Sequence, residues 1–178
     1  MNFSVYTSAK VQNIKRVFTD TFSESEGQPE GEIIGELAYN MLVQTDEKEL
    51  YCFIAEEDKQ IIGAIIFTKM TLGNNANAFI LSPIAVNTMQ QGKGIGQSLI
   101  NYGINMLKKD GVELLFTYGD PNYYSKVGYQ QISEEQIKAP QKLSLPHGWL
   151  CQSLTSNVIP IVKGDTSCVE ALNKAEYW

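Results

Sequence analysis

The run Leu81 to Gly96, LSPIAVNTMQQGKGIG, constrains this chain more than any other stretch. Its first half is an apolar strand pattern containing Pro83. Its second half sets Gly92, Gly94 and Gly96 around Lys93 and Ile95. The spacing then predicts a helix over 91–109, with Ile95, Leu99, Ile100, Gly103, Met106 and Leu107 on one face. A strand that feeds a glycine turn and a helix start makes an anion site. The first amides of a helix lack intrahelical partners, and the helix dipole is positive at that end. Glycine also lets a phosphate approach the main chain closely. The stretch therefore points to a phosphorylated cofactor.

The flanking pattern narrows the fold. Residues 2 to 7 read as a strand. Val11, Ile14, Val17, Phe18 and Phe22 mark an amphipathic helix over 9–22, with Ser8 as its cap. SESEGQPEG, residues 23 to 31, reads as a loop before a second helix carrying Ile33, Ile34, Leu37, Ala38, Met41 and Leu42. Strand patterns at 50–56, 60–70 and 76–86 are joined by polar turns, which implies an antiparallel meander. After the helix that follows the glycines, VELLFTY at 112–118 is a strand, and strand–helix–strand implies a parallel crossover pair. Asp120 and Pro121 suit the cap and first position of a short helix ended by Gly128. A strand starts at Tyr129, and 149–154 and 157–162 are further strand candidates. The tail from 167 reads as a short helix or extended chain.

Two familiar phosphate loops fail on spacing. A P-loop needs G-x-x-x-x-G-K-S/T, whereas Lys93 follows the first glycine. A dinucleotide fingerprint needs G-x-G-x-x-G in an early βαβ unit, and these glycines are G-x-G-x-G after a meander. Gln91-Gly92-Lys93-Gly94-Ile95-Gly96 instead has the form Q-x-x-G-x-G. With Pro83-Ile84-Ala85-Val86 ahead of it, it resembles the acetyl-CoA loop and fourth strand of the GNAT superfamily of N-acetyltransferases. A second landmark, Gly119-Asp120-Pro121-Asn122-Tyr123-Tyr124-Ser125-Lys126-Val127-Gly128-Tyr129, is similar to that family's F-Y-x-x-x-G-F segment, in the form found in its YhbS-type branch. The resemblance spans about residues 3 to 132. It implies an α/β (α+β) fold: a single domain over 1–178, with a mixed, mostly antiparallel twisted sheet, a central parallel pair and about four flanking helices. Residues 133–178 would extend that domain.

The resemblance also implies chemistry. Acetyl-CoA would be the acyl donor and an amine, on a small molecule or a protein, the acceptor. The amides of Gln91, Gly92, Lys93, Gly94, Ile95 and Gly96 would hold the pyrophosphate. The main chain of Ile84, Ala85 and Val86 would pair with the pantetheine arm like an added strand. Tyr124 would be the general acid beside the leaving thiolate, since a phenol stays protonated at neutral pH and donates. Its alternative is an aromatic packed on the short helix. Tyr123 would pack on the cofactor or the core, and Asn122 would bond the pantetheine or sit in the first helical turn. Lys93 would add charge or point to solvent. Many relatives carry a glutamate on the fourth strand, but 76–86 contains no acid. Glu32, Glu36 and His147 are candidates for the missing base. A solvated helix face for the glutamates and a loop role for the histidine are the plainer readings. The missing acid also keeps a non-catalytic acyl-CoA-binding or regulatory domain in view.

Composition sets the outer bounds. The 178 residues carry a formal charge of −6, a poor match to nucleic acid. Cys52, Cys151 and Cys168 have no metal-ligand or disulfide spacing, so no metal is expected. No apolar run approaches the ~20 residues of a membrane span, and the first residues lack a signal-peptide core. A cytoplasmic protein is expected, and the fold commonly forms homodimers.

Overall fold

The computed structural model describes every residue from Met1 to Trp178. In chain order the elements are β1 (Asn2–Val5), α1 (Val11–Glu26), α2 (Gln28–Gln44), β2 (Leu50–Glu57), β3 (Gln60–Thr71), β4 (Ala78–Val86), α3 (Ile95–Lys109), β5 (Leu114–Tyr118), α4 (Pro121–Tyr124), β6 (Gln130–Gln131), β7 (Trp149–Ser153) and β8 (Ser167–Cys168). The strands form one open sheet in the order β1-β2-β3-β4-β5-β7-β6, with β8 on β3. β4 and β5 are parallel, while β1–β2, β3–β8, β5–β7 and β6–β7 are antiparallel. This is the expected mixed sheet with its parallel pair. No helix is long and apolar enough to cross a membrane. The chain divides into two compact units: Met1–Phe67 with Pro83–Ile104, and Thr68–Ser82 with Asn105–Trp178.

In the first unit, α1 and α2 correct the sequence expectation. The stretch read as a loop over 23–31 is helical except at Gly27, which alone breaks the run with φ 101°. A left-handed φ suits glycine, and Pro29 enters the first turn of α2, where its missing N–H costs nothing. The polar residues are simply the exposed flank of two helices. Gly31 lets the pair approach closely, for a Cβ there would meet the Thr19 carbonyl at 2.5 Å and the Ser23 amide nitrogen at 2.6 Å. Ser8 is not a cap, because a 3₁₀ turn over Ser8–Lys10 runs directly into α1 and no side chain caps that helix. The β2–β3 hairpin turns through Asp58 (φ 50°) and Lys59 (φ 65°), the left-handed pair that matches strand twist. Phe53 packs edge-on against Phe67 and Tyr102. Gly103 allows α3 to sit on these rings, since its Cβ would lie 2.6 Å from Phe67.

The second unit is built on β5 and β7. Trp149 is fully buried, stacks on Phe116 at 5.2 Å, and donates its indole N–H to the carbonyl of Ile137. β7 lies between β5 and β6, so residues expected to extend the fold instead supply an inner strand. Asn77 ties the start of β4 to the start of β5. Its amide nitrogen donates to Glu113, its side chain donates to the carbonyl of Gly111, and Lys69 donates to it at 2.6 Å. The strand expected over 157–162 is absent. Val162 makes only an isolated bridge with Ile137, and Val158 and Ile161 face solvent beside Pro160. The tail combines β8 with 3₁₀ turns at Glu170–Leu172 and Ala175–Tyr177.

The backbone atoms facing Gly31 cannot move aside as a flexible side chain would. Gly31→Ala is expected to lower unfolding stability by about 1–3 kcal/mol, the usual range for overpacking. Urea denaturation checks this, and an unchanged midpoint would refute the close-approach role of Gly31.

Candidate functional site

The candidate residues fall into two groups, one in each unit. The first group is the end of β4 and the turn that leads to α3. The parallel register of β4 with β5 runs from Ala78↔Leu114 to Leu81↔Thr117, and β4 continues to Val86. Pro83 stands just past the last pair, where a missing N–H costs no ladder bond. On the other side β4 keeps its neighbour, since Asn87 donates to the carbonyl of Ile62 at 2.8 Å.

The helix expected from 91 starts at Ile95. A 3₁₀ turn over Thr88–Gln90, capped by the Asn87 side chain, occupies the space between. Gly92 (φ 75°) and Gly94 (φ 79°) then turn through the left-handed region, and a Cβ on either would meet nothing within 4 Å. The two glycines therefore serve backbone geometry and leave open space over the main chain. The first helical bond is from Ser98 to the carbonyl of Gly94 at 3.0 Å. The amides of Gly94, Ile95, Gly96 and Gln97 precede it and have no intrahelical acceptor. Ile95 is buried and anchors the helix start. Gln91 does something spacing did not reveal: its side-chain amide donates to the Val86 carbonyl at 2.9 Å, pinning the turn to the end of β4. Lys93 is drawn to Gln90 at 2.8 Å.

The second group is α4 and its surroundings. Asp120 caps it as expected, accepting from the Asn122 amide at 2.9 Å, with Pro121 at the first position and Gly128 (φ 95°) closing the following 3₁₀ turn. Asn122 is exposed. Tyr124 lies edge-on between Tyr123 at 5.1 Å and Tyr129 at 5.7 Å. Gly119 makes room for it, because a Cβ there would stand 2.7 Å from the Tyr124 ring. Tyr124 is partly exposed, whereas Tyr129 is only 2% exposed. Burial pushes the Tyr124 phenol up to about 12, a hydrogen bond with Thr117 pulls it back down, and Tyr123 adds a smaller upward push. Burial also raises Tyr123. Such a phenol holds its proton at neutral pH and has it to give. The sequence singles out neither Thr117 nor Gly119 for its own contact. Threonine is an ordinary strand residue, and Gly119 was seen only as part of a motif.

Residues 48–131 match the family of acetyltransferase (GNAT) domains. YjhQ, an uncharacterised N-acetyltransferase of Escherichia coli strain K12, is 26% identical over 174 residues, 94% of this chain and 92% of its own. The crystal structure of the E. coli GNAT-family N-acetyltransferase YhbS in complex with CoA superposes with a TM-score of 0.83 at 19% identity, covering 97% of this chain and 92% of that one. A GNAT-family acetyltransferase from Brucella melitensis in complex with acetyl-CoA gives 0.75 at 22% identity, covering 96% and 97%. The match to the acetyltransferase (GNAT) domain thus covers residues 48–131, and the two solved structures share the fold of the chain.

The remaining candidates lie outside these two groups. Glu32 accepts from Gln28 at 2.9 Å, and Glu36 pairs with Lys15, both on the exposed flank of α2. They line an open groove of about 640 Å³ with Lys15, Thr19, Pro29 and Ile33. His147 is exposed in the 3₁₀ turn Pro146–Gly148. Trp149 and Trp178 are buried, their indoles bonded to carbonyls. Burial raises the thiols of Cys52 and Cys151, and lifts that of Cys168 to about 11. No group of three or more His, Cys, Asp or Glu side chains is placed to hold a metal.

The raised phenol has a consequence for stability. Tyr124 ionises near the ordinary tyrosine value of 10.0 when unfolded, and burial in the folded protein pushes it up to about 12. Between those values the unfolded chain has lost a proton that the folded chain keeps. Its contribution is therefore full below pH 10.0 and falls as pH rises towards about 12. Tyr124→Phe is expected to flatten this part of the alkaline stability profile, read by denaturant melts from pH 9 upward. An identical decline in both proteins would show that the Tyr124 phenol is not pushed up in the folded protein.

Proposed function

We propose that this protein transfers the acetyl group of acetyl-CoA directly to a primary amine on a small molecule or a protein. The observation that carries the proposal is the open left-handed turn at Gly92 and Gly94, which leaves four amides at the start of α3 without an intrahelical acceptor. That donor set suits a pyrophosphate. The turn is built from the residues that resemble the GNAT acetyl-CoA loop, and YhbS and the Brucella enzyme, which share the fold, have been solved with CoA and acetyl-CoA.

In this reading the main chain of Gln91, Gly92, Lys93, Gly94, Ile95 and Gly96 binds the pyrophosphate. Lys93 contributes charge once it leaves Gln90. The backbone of Ile84, Ala85 and Val86 pairs with the pantetheine amides. The Val86 carbonyl already accepts from Gln91, so the amides and the remaining carbonyls of this segment do that pairing. Tyr123 packs against the cofactor and Asn122 bonds it. Tyr124 is the general acid. A neutral amine attacks the thioester carbonyl, the carbon–sulfur bond breaks with its electron pair going to sulfur, and the phenol proton passes to that sulfur. The proton lost by the amine leaves through water, because β4 offers no carboxylate. Bulk solvent then reprotonates Tyr124.

Tyr124→Phe is expected to lower kcat about 100-fold, within the usual span for a positioned acid, with KM for acetyl-CoA unchanged. Thiol release over a panel of amines measures both. Wild-type turnover in the variant would refute the acid assignment. Acetyl-CoA at about 100 times its Kd is expected to stabilise the fold by about 2.7 kcal/mol, visible as a raised Tm. No shift at millimolar acetyl-CoA would remove the cofactor itself. The acid-free β4 favours a second reading, acyl-CoA binding without catalysis. A raised Tm with no thiol release from any amine would select it.

A further inference from the structure

Tyr118 ends β5, and its ring stacks on Trp178 at 6.2 Å. Its hydroxyl accepts from the Leu145 amide at 2.6 Å and shares a hydrogen bond with the Ser144 hydroxyl at 2.8 Å. Both partners belong to the strap that leads into β7. Leu143 and Gly148 are buried at either side of it, while Ser144, Leu145, Pro146 and His147 between them are exposed. A phenol 26 and 27 positions away in the chain thus ties down an exposed stretch. Gly148 then meets the end of β5 directly. Its carbonyl accepts from the Gly119 amide at 3.0 Å, and a Cβ on it would stand 3.0 Å from the Tyr118 ring and 3.1 Å from the Gly119 carbonyl. Gly119 in turn carries the Tyr124 ring, which any Cβ there would strike at 2.7 Å.

We infer that Tyr118 is a positioning residue for Tyr124: its phenol hangs the strap 144–148 on the end of β5, and the strap holds Gly119, the seat of the Tyr124 ring. The inference rests on the proposed role of Tyr124 as the acid. Gly119 lies between β5, which ends at Tyr118, and Asp120, which caps α4. Glycine loses more conformational freedom on ordering than any other residue, so this junction needs an outside hold. The register of β5 with β7 stops at Tyr118↔Trp149, and the bond from Gly119 to Gly148 continues it past that last pair. α4 has four residues and is too short to set the position of Tyr124 by its own hydrogen bonds. An acid has to meet the leaving sulfur squarely, and a displacement of about 1 Å costs on the order of 100-fold in rate. Tyr118 takes no part in the proton transfer itself. It fixes the backbone on which the acid rests.

Tyr118→Phe tests this, since it keeps the ring on Trp178 and removes only the hydroxyl. Amide hydrogen exchange is expected to speed up at least about tenfold at Leu145 and Gly119, and to stay unchanged at Phe116 within the β5 ladder. A ring-fluorinated tyrosine at position 124 is expected to show a shifted or broadened ¹⁹F resonance in the variant. With natural Tyr124, kcat by thiol release is expected to fall about tenfold, with KM for acetyl-CoA unchanged. On a Tyr124→Phe background the same substitution is expected to change kcat no further, because residues that act as a unit are not additive. Equal losses on both backgrounds overturn the inference, since Tyr118 would then act by another route. Exchange that speeds up along the whole of β5 marks a merely structural role and overturns it too. An unchanged exchange at Gly119 or an unmoved ¹⁹F resonance overturns it whatever the activity. A wild-type rate in Tyr118→Phe beside a slow Tyr124→Phe overturns its catalytic half. A wild-type rate in Tyr124→Phe refutes the acid assignment beneath it, and is recognised because the exchange and resonance differences survive.

Discussion

Two parallel neighbouring strands cannot be joined by a tight turn, and the glycine-turn half of the candidate site follows from that constraint. β4 ends at Val86 and β5 begins at Leu114, so α3 must carry the chain back between them. The helix therefore starts close after the strand ends. Its first amides have no intrahelical acceptor. Gly92 and Gly94 supply the two left-handed residues that make so abrupt an entry feasible, and Gln91 ties the entry to the Val86 carbonyl. The proposed anion site is thus a by-product of closing a parallel pair, built from backbone groups that side-chain substitution leaves in place.

The proposed acid is held by different means. Tyr124 sits on a helix of four residues, too short to be stable by its own hydrogen bonds. The Asp120 cap, the left-handed Gly128 and the tyrosine rings on either side fix it instead. Gly119 is small for the sake of this ring. Burial keeps the phenol protonated, and Thr117 opposes that effect. In the proposed role, a group that gives up a proton and takes it back benefits from both influences. One holds the proton at rest, and the other makes its loss less costly.

Much of this was legible in the residues. The strand, glycine turn and helix after Leu81, the capped short helix at Asp120-Pro121 and the parallel pair are written in local pattern, and each appeared close to where it was read. The misreadings share a cause. SESEGQPEG looks like a loop because its residues are polar, but polarity at helical spacing is equally the exposed side of a helix, and only Gly27 breaks it. Residues 157–162 look like a strand because they are apolar and β-branched, but they find no partner strand. A strand is defined by its neighbour, and a single sequence does not name the neighbour.

By itself the sequence determined the features whose energetics are local. These are the left-handed turn that only glycine adopts at low cost, the Asp-Pro helix start, and the crossover that a strand–helix–strand order demands. Tertiary structure alone decided what depends on residues far apart in the chain. It set β7 between β5 and β6, brought the α1 and α2 backbones together over Gly31, and brought the Thr117 hydroxyl to the Leu81 carbonyl. A hydrogen bond across 36 positions leaves no periodic trace in the sequence, because a threonine in a strand looks the same whether or not its hydroxyl has work to do.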